Sequence, residues 1–104
     1  MSKSFSKFPP AVTACLWSYN PDALDIRRDR EEIITQVLNY GIWEAVKWVR
    51  ETYSDDDIRE VLKKPARGRW FKQALHFWLV ALGLSLPSEI YQRAIFHLNP
   101  VLSH

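Results

Sequence analysis

The stretch RGRWFKQALHFWLVALGL, from Arg67 to Leu84, constrains this chain more than any other. Read at helical period from Trp70, its apolar residues fall at Trp70, Phe71, Ala74, Leu75, Trp78, Leu79 and Leu82, which trace one continuous stripe. Phe77, Val80 and Ala81 add a second apolar side, so from about His76 onward little polar face is left for water. A helix that is apolar all round is either central or lies in an interface. The spacing predicts a helix over Trp70–Leu82 that is the central packing helix of its domain. The basic entrance Arg67-Gly68-Arg69 is read as a contact loop.

With 104 residues the chain can bury a core without disulfide or metal staples, and it is read as one domain. A net charge of +2 does not by itself argue for nucleic acid. Five tryptophans are a heavy load for this length, and tryptophan is enriched both in cores and at the centres of interfaces. The single cysteine, Cys15, cannot form an internal disulfide; its neighbours Ala14, Leu16 and Trp17 predict a buried thiol in a reducing compartment. The N-terminal MSKSFSKFPP has no apolar run of signal-peptide length. The longest apolar segment, Leu75 to Leu86, is interrupted by His76, Gly83 and Ser85 and is shorter than the roughly 20 residues of a membrane span. A soluble cytoplasmic protein with no membrane segment is therefore expected.

Along the chain, residues 1–8 read as a mobile N-terminal segment, 9–99 as a single helical domain and 100–104 as a C-terminal tail. Pro9 and Pro10 open a helix over Ala11–Trp17, and Asn20-Pro21-Asp22 makes a turn. Asp25 is the expected N-cap of a helix from Ile26 to Tyr40 with a core face of Ile26, Ile33, Ile34, Val37 and Leu38, closed at Gly41. A third helix, Ile42–Tyr53, buries Ile42, Ala45, Val46, Val49 and Tyr53. Trp43 and Trp48 lie on opposite flanks of that stripe, so at least one reaches beyond the core. Ser54 before Asp55, Asp56 and Asp57 approximates a capping box for a short helix that Pro65 stops. After Trp70–Leu82, a last helix capped by Ser85 or Ser88 carries Ile90, Tyr91, Ala94, Ile95 and Leu98, and Pro100 ends it. No stretch alternates convincingly at period two. The fold class read from this is all-α, a compact single domain of about six short helices.

Motifs for chemistry are missing. His76, His97 and His104 have no partner at ligand spacing, and one cysteine with scattered acids makes no zinc pattern, so no metal is expected. Nucleophilic catalysis needs a serine or cysteine with a histidine and an orienting acid, and no stretch carries a recognisable elbow. The only glycines, Gly41, Gly68 and Gly83, are too dispersed to cradle a phosphate. The chain is therefore read as a non-enzyme without a cofactor.

Basic character concentrates between Arg59 and Lys72, where Arg59, Lys63, Lys64, Arg67, Arg69 and Lys72 stand against Glu60 alone. Such a patch can track phosphates or grip an acidic protein surface. A helix-turn-helix reading of the third and fourth helices fails because the would-be recognition helix opens with three aspartates. An aromatic centre with a basic rim suits a protein interface, and Trp43, Trp48, Arg67, Arg69 and Trp70 are the expected partner-binding residues. Homodimerisation through the apolar half, Phe77 to Leu84, is compatible with either reading.

The segments LWSYNPDALDIRRDREEIITQVLNYG, IWEAVKWVRETYSDDDIREVLKK and RGRWFKQALHFWLVALGL, in that order, resemble a family of small uncharacterised bacterial proteins. Its pattern has a Leu-Trp-x-Tyr/Val-Asp opening, a Leu-Asp followed by an Ile-Ile helix ending in Gly, a Trp-Leu helix, a Tyr-Gly stretch and an Asn-Phe-Trp-x-x-x-Leu-Gly close. The likeness runs from Leu16 to Leu84. Such genes often sit beside a nucleotidyltransferase-like toxin gene. The resemblance therefore implies an antitoxin-like, non-enzymatic protein that binds or antagonises a nucleotidyltransferase-type toxin in a bacterial toxin-antitoxin or abortive-infection module. Two positions depart from the pattern: Asn20 stands where the family has Asp, and Ser54 where it has Gly. The alternative from the residues alone is a nucleic-acid-binding regulator using the patch from Arg59 to Lys72.

Overall fold

In the computed structural model, which describes residues 8–96, six α-helices account for most of the chain. They are α1 (Pro10–Cys15), α2 (Arg30–Tyr40), α3 (Trp43–Thr52), α4 (Asp55–Lys63), α5 (Lys72–Ala81) and α6 (Ser88–Ala94), with one turn of 3-10 helix at Pro21–Ala23. The all-α reading stands. Expectations for the N-terminal segment, Leu98, His97, Pro100, His104 and the tail fall largely or wholly outside the described residues. The core itself extends to Phe8, which is buried.

The helix at the centre is α2, where the sequence pointed to α5. It packs against α1, α3, α4 and α5, and it buries Ile33, Ile34, Val37 and Leu38 together with Thr35. By contrast α5 buries only Leu75 and Leu79 and leaves Phe77 and Val80 exposed. An all-round apolar helix has two outcomes, central or interfacial. Here α5 keeps one apolar side for the core and the other for the surface.

Local chemistry sets the boundaries. Asp25 does not cap a helix running from Ile26: its Oδ1 accepts from the backbone N–H groups of Arg27 at 2.9 Å and Arg28 at 2.7 Å, and Asp29 Oδ2 accepts from Asp25 N–H at 2.8 Å. This reciprocal pair closes a turn over residues 25–29, so the regular helix begins only at Arg30. Gly41, in the left-handed region at φ 65°, ends α2, its N–H donating to Val37 O. Ile42, expected in the core, is 37% exposed and stands outside α3 as its N-terminal flank. Ser54 and Asp57 form the capping box of α4 as its sequence indicated. At the end of α5, Gly83 N–H bonds Val80 O and Leu84 N–H bonds Leu79 O, the paired bonds that satisfy a helix's last carbonyls.

Two boundaries differ for a reason no periodicity carries. Trp70 is not helical. It forms a single parallel bridge with Ile95: Trp70 N–H donates to Ala94 O at 2.9 Å, and Phe96 N–H donates to Trp70 O at 2.7 Å. Gly68 N–H adds a bond to Arg93 O at 2.8 Å. These bonds end α6 at Ala94, before the Ile95 expected within it, and tie the segment before α5 to the segment after α6.

Candidate functional site

The last turn of α2 organises one face of the molecule. Its last carbonyls lack intrahelical partners; a distant side chain meets one of them, and the side chains of Asn39 and Tyr40 reach out to distant segments. Trp78 of α5 donates its indole N–H to Leu38 O at 3.0 Å. The amide of Asn39 spans the extended segment ahead of α5, with Nδ2 donating to Arg69 O at 2.8 Å and Oδ1 accepting from Phe71 N–H at 3.0 Å. Tyr40, the final helical residue, accepts the indole N–H of Trp17 at 2.7 Å on its hydroxyl and sets its ring edge-on to Phe71, centroids 5.8 Å apart. Phe71 in turn meets Phe96 edge-on at 6.5 Å. Arg69 donates from Nη1 to the Tyr19 hydroxyl at 2.6 Å.

The result is a band of aromatic side chains with grooves between them. One groove, of about 460 Å³, lies between α2, α3 and α5 and is walled by Leu38, Trp43, Val46, Phe77 and Trp78. The next, of about 600 Å³, runs between Trp17, Tyr19, Tyr40, Arg69 and Phe96. Asn39 and Phe71 line both, so the two grooves adjoin there. A third, of about 460 Å³, holds Arg67 and Arg93 and shares Gly68 and Phe96 with the second. Trp17, Tyr40, Trp43, Phe71, Phe77 and Phe96 are between 40% and 69% exposed. Large apolar side chains scattered singly on a surface need no explanation; a contiguous set of six does.

The residues expected to bind a partner separate into two groups. Trp43, at 67% exposure, lines the first groove, and Arg69 and Arg67 line the second and third. Trp70, by contrast, is fully buried: its ring belongs to the core, as its place on the apolar stripe indicated, and its assignment as a contact residue is corrected. Trp48 is half-buried, packed edge-on between Phe8 at 5.6 Å and Tyr53 at 5.9 Å, and lines none of the three grooves.

Nor is the basic stretch one patch. Lys64 lines a separate cleft with Arg28, Arg30, Glu31, Asp57 and Glu60, where opposite charges alternate. Arg59 and Lys63 sit on α4, and Lys72 opens α5. Only Arg67 and Arg69 reach the aromatic band, where Arg93 joins them. Phe77 was already marked in the sequence as lying off the main stripe. Trp17, Asn39, Tyr40, Arg93 and Phe96 carry no such mark, since the turn of α2 and the bridge at Trp70 bring them together.

Outside the band, burial pushes the Cys15 thiol above its ordinary pKa, and burial likewise pushes the Tyr53 hydroxyl up to about 12. Tyr53 donates to Ile26 O at 2.8 Å. Among the described residues no three His, Cys, Asp or Glu side chains gather as metal ligands would, and no helix is long and apolar enough to cross a membrane.

Residues 13–62 match a family of unknown function, DUF6922, so over this stretch the chain is similar to an uncharacterised family. The matched residues include the turn of α2 that organises the band but stop short of Arg67, Arg69, Phe71 and Phe77. Neither the curated proteins nor the solved structures contain a match to this chain.

Proposed function

We propose that this protein is a non-enzymatic binding protein whose aromatic band engages another protein. The observation that carries the reading is the convergence of Trp17, Tyr40, Trp43, Phe71, Phe77 and Phe96, all exposed, around adjoining grooves. Exposed tryptophan, tyrosine and phenylalanine beside arginine is the composition of interface hot spots, where large rigid side chains displace water at low entropic cost. The resemblance of the chain to a family encoded beside nucleotidyltransferase-like toxins supplies the partner: this protein acts as an antitoxin that binds such a toxin. A nucleic-acid regulator has less support, because the six basic residues from Arg59 to Lys72 are spread over separate parts of the surface and Lys64 stands among carboxylates.

Co-expression with a nucleotidyltransferase-type toxin, taken from the gene beside this one if that gene encodes such a protein, tests this. Growth restored by this protein, and lost again in a Trp43→Ala/Phe77→Ala double variant that remains folded, is the expected result. A toxin equally lethal with and without this protein overturns the antitoxin reading.

A further inference from the structure

The band differs in chemistry from one end to the other, and the difference specifies the segment that fits it. No charged side chain lines the groove between α2, α3 and α5. At the opposite end stand Arg69, Arg67 and Arg93, and no acidic side chain lines either of their grooves. The ion pairs among the described residues lie elsewhere: Arg27 and Arg30 face Asp57, and Arg28 holds Asp29. The arginines of the band therefore meet no carboxylate within ion-pair distance among those residues. Arg69 is steered toward the second groove by its bond to the Tyr19 hydroxyl.

We infer, building on the protein-binding reading above, that the band takes one segment of a partner protein that is apolar at one end and carboxylate-rich at the other. Its aliphatic or aromatic side chains fill the α2–α3–α5 groove, and its carboxylates meet Arg69, Arg67 and Arg93. Guanidinium groups match carboxylates through two parallel hydrogen bonds, which gives such a pairing direction as well as charge complementarity. Apolar side chains that fill a hydrophobic groove between helices are a recurring way such grooves take a partner segment. The two grooves adjoin at Asn39 and Phe71, so a single extended segment that crosses there reaches both ends. A nucleic acid strand fits less well. It carries charge at every nucleotide and needs cations along its whole track, whereas half of this band has none.

The tryptophans provide the test. In the full chain labelled with ¹⁵N, the indole signals of Trp17, Trp43 and Trp78 report on the band, while those of Trp48 and Trp70 report on the core. The probes are a synthetic peptide with leucine and phenylalanine at one end and a run of glutamates at the other, made in both chain directions; its counterpart with lysine for glutamate; and an oligouridylate RNA. The acidic peptide, in one direction, shifts the three band signals and leaves Trp48 and Trp70 in place, and the lysine peptide does not. Arg67→Glu/Arg93→Glu weakens the acidic peptide by roughly tenfold or more and favours the lysine peptide, as expected of close charge pairs. Arg69→Glu serves as a second variant. The inference is overturned if neither acidic peptide moves the band, if charge reversal leaves the affinity unchanged, or if only the RNA moves it. Should the peptides fail while co-expression still shows neutralisation, the protein-binding reading survives and the polarity assigned to the segment falls.

Discussion

Asn39 Oδ1 accepts the backbone N–H of Phe71 at 3.0 Å across 32 residues of sequence. With Nδ2 bonded to Arg69 O, the same amide brackets Trp70 and holds the aromatic band to the end of α2. Asn39→Ala removes both bonds and is expected to cost about 1–2 kcal/mol, since each such bond contributes about 1 kcal/mol net and the freed backbone groups rehydrate in part. Chemical denaturation measures the loss. The indole signal of Trp78 should shift in the same variant, because its N–H bonds the carbonyl of Leu38, the residue next to Asn39, and an unperturbed Trp78 would argue against the clamp.

Tyr53 couples the turn before α2 to the end of α3 through its bond to Ile26 O. Tyr53→Phe is expected to destabilise by about 1 kcal/mol, the usual cost of one part-buried hydrogen bond. The hydroxyl also makes stability depend on alkaline pH. Its pKa is raised from an ordinary 10 to about 12 in the folded chain, so the folded state keeps its proton where the unfolded chain has lost it. Its contribution is full below pH 10 and disappears as pH rises toward about 12. Urea midpoints of wild type and Tyr53→Phe should converge across that window.

Thr35 is buried on α2, and its hydroxyl has no hydrogen-bond partner among the described residues. Desolvating an unpaired hydroxyl is unfavourable, and valine has nearly the same shape. Thr35→Val should therefore leave stability unchanged or raise it by about 1 kcal/mol. A melting temperature that falls in this variant would show that the hydroxyl is bonded in solution.

Two tryptophans, each two residues after a glycine, should behave oppositely. Trp70→Ala empties the largest fully buried side-chain site and is expected to cost about 3–5 kcal/mol, enough to unfold much of the protein. Trp43→Ala, at the exposed first position of α3, should change stability by no more than about 0.5 kcal/mol. Calorimetry on the two variants distinguishes core from surface directly.

Much of this architecture is legible residue by residue. The stripes Ile33, Ile34, Val37, Leu38 and Ala45, Val46, Val49 are buried as their spacing indicates, Ser54 and Asp57 cap α4, and Gly41 ends α2. These features are local: helical periodicity, caps and left-handed glycines act within one or two turns of chain. Off-stripe apolar residues such as Phe77 and Trp43 were visible too, as side chains that a single core could not absorb.

What the chain order alone could not specify is which distant groups meet. The Trp70–Ile95 bridge converts an apparent helix start into an extended core residue and cuts α6 short. The Asn39 clamp then turns Phe71 and Arg69 toward Tyr40 and Tyr19. The sequence by itself determined the helices, the composition of the core and the surplus of aromatic side chains. Tertiary structure alone decided that α2 is the central helix, that Trp70 is extended rather than helical, and that Trp17, Phe71, Phe96 and three arginines share one face. The physical reason is that long-range backbone and side-chain hydrogen bonds satisfy the ends of α2 and α6, and no local pattern encodes where those partners come from.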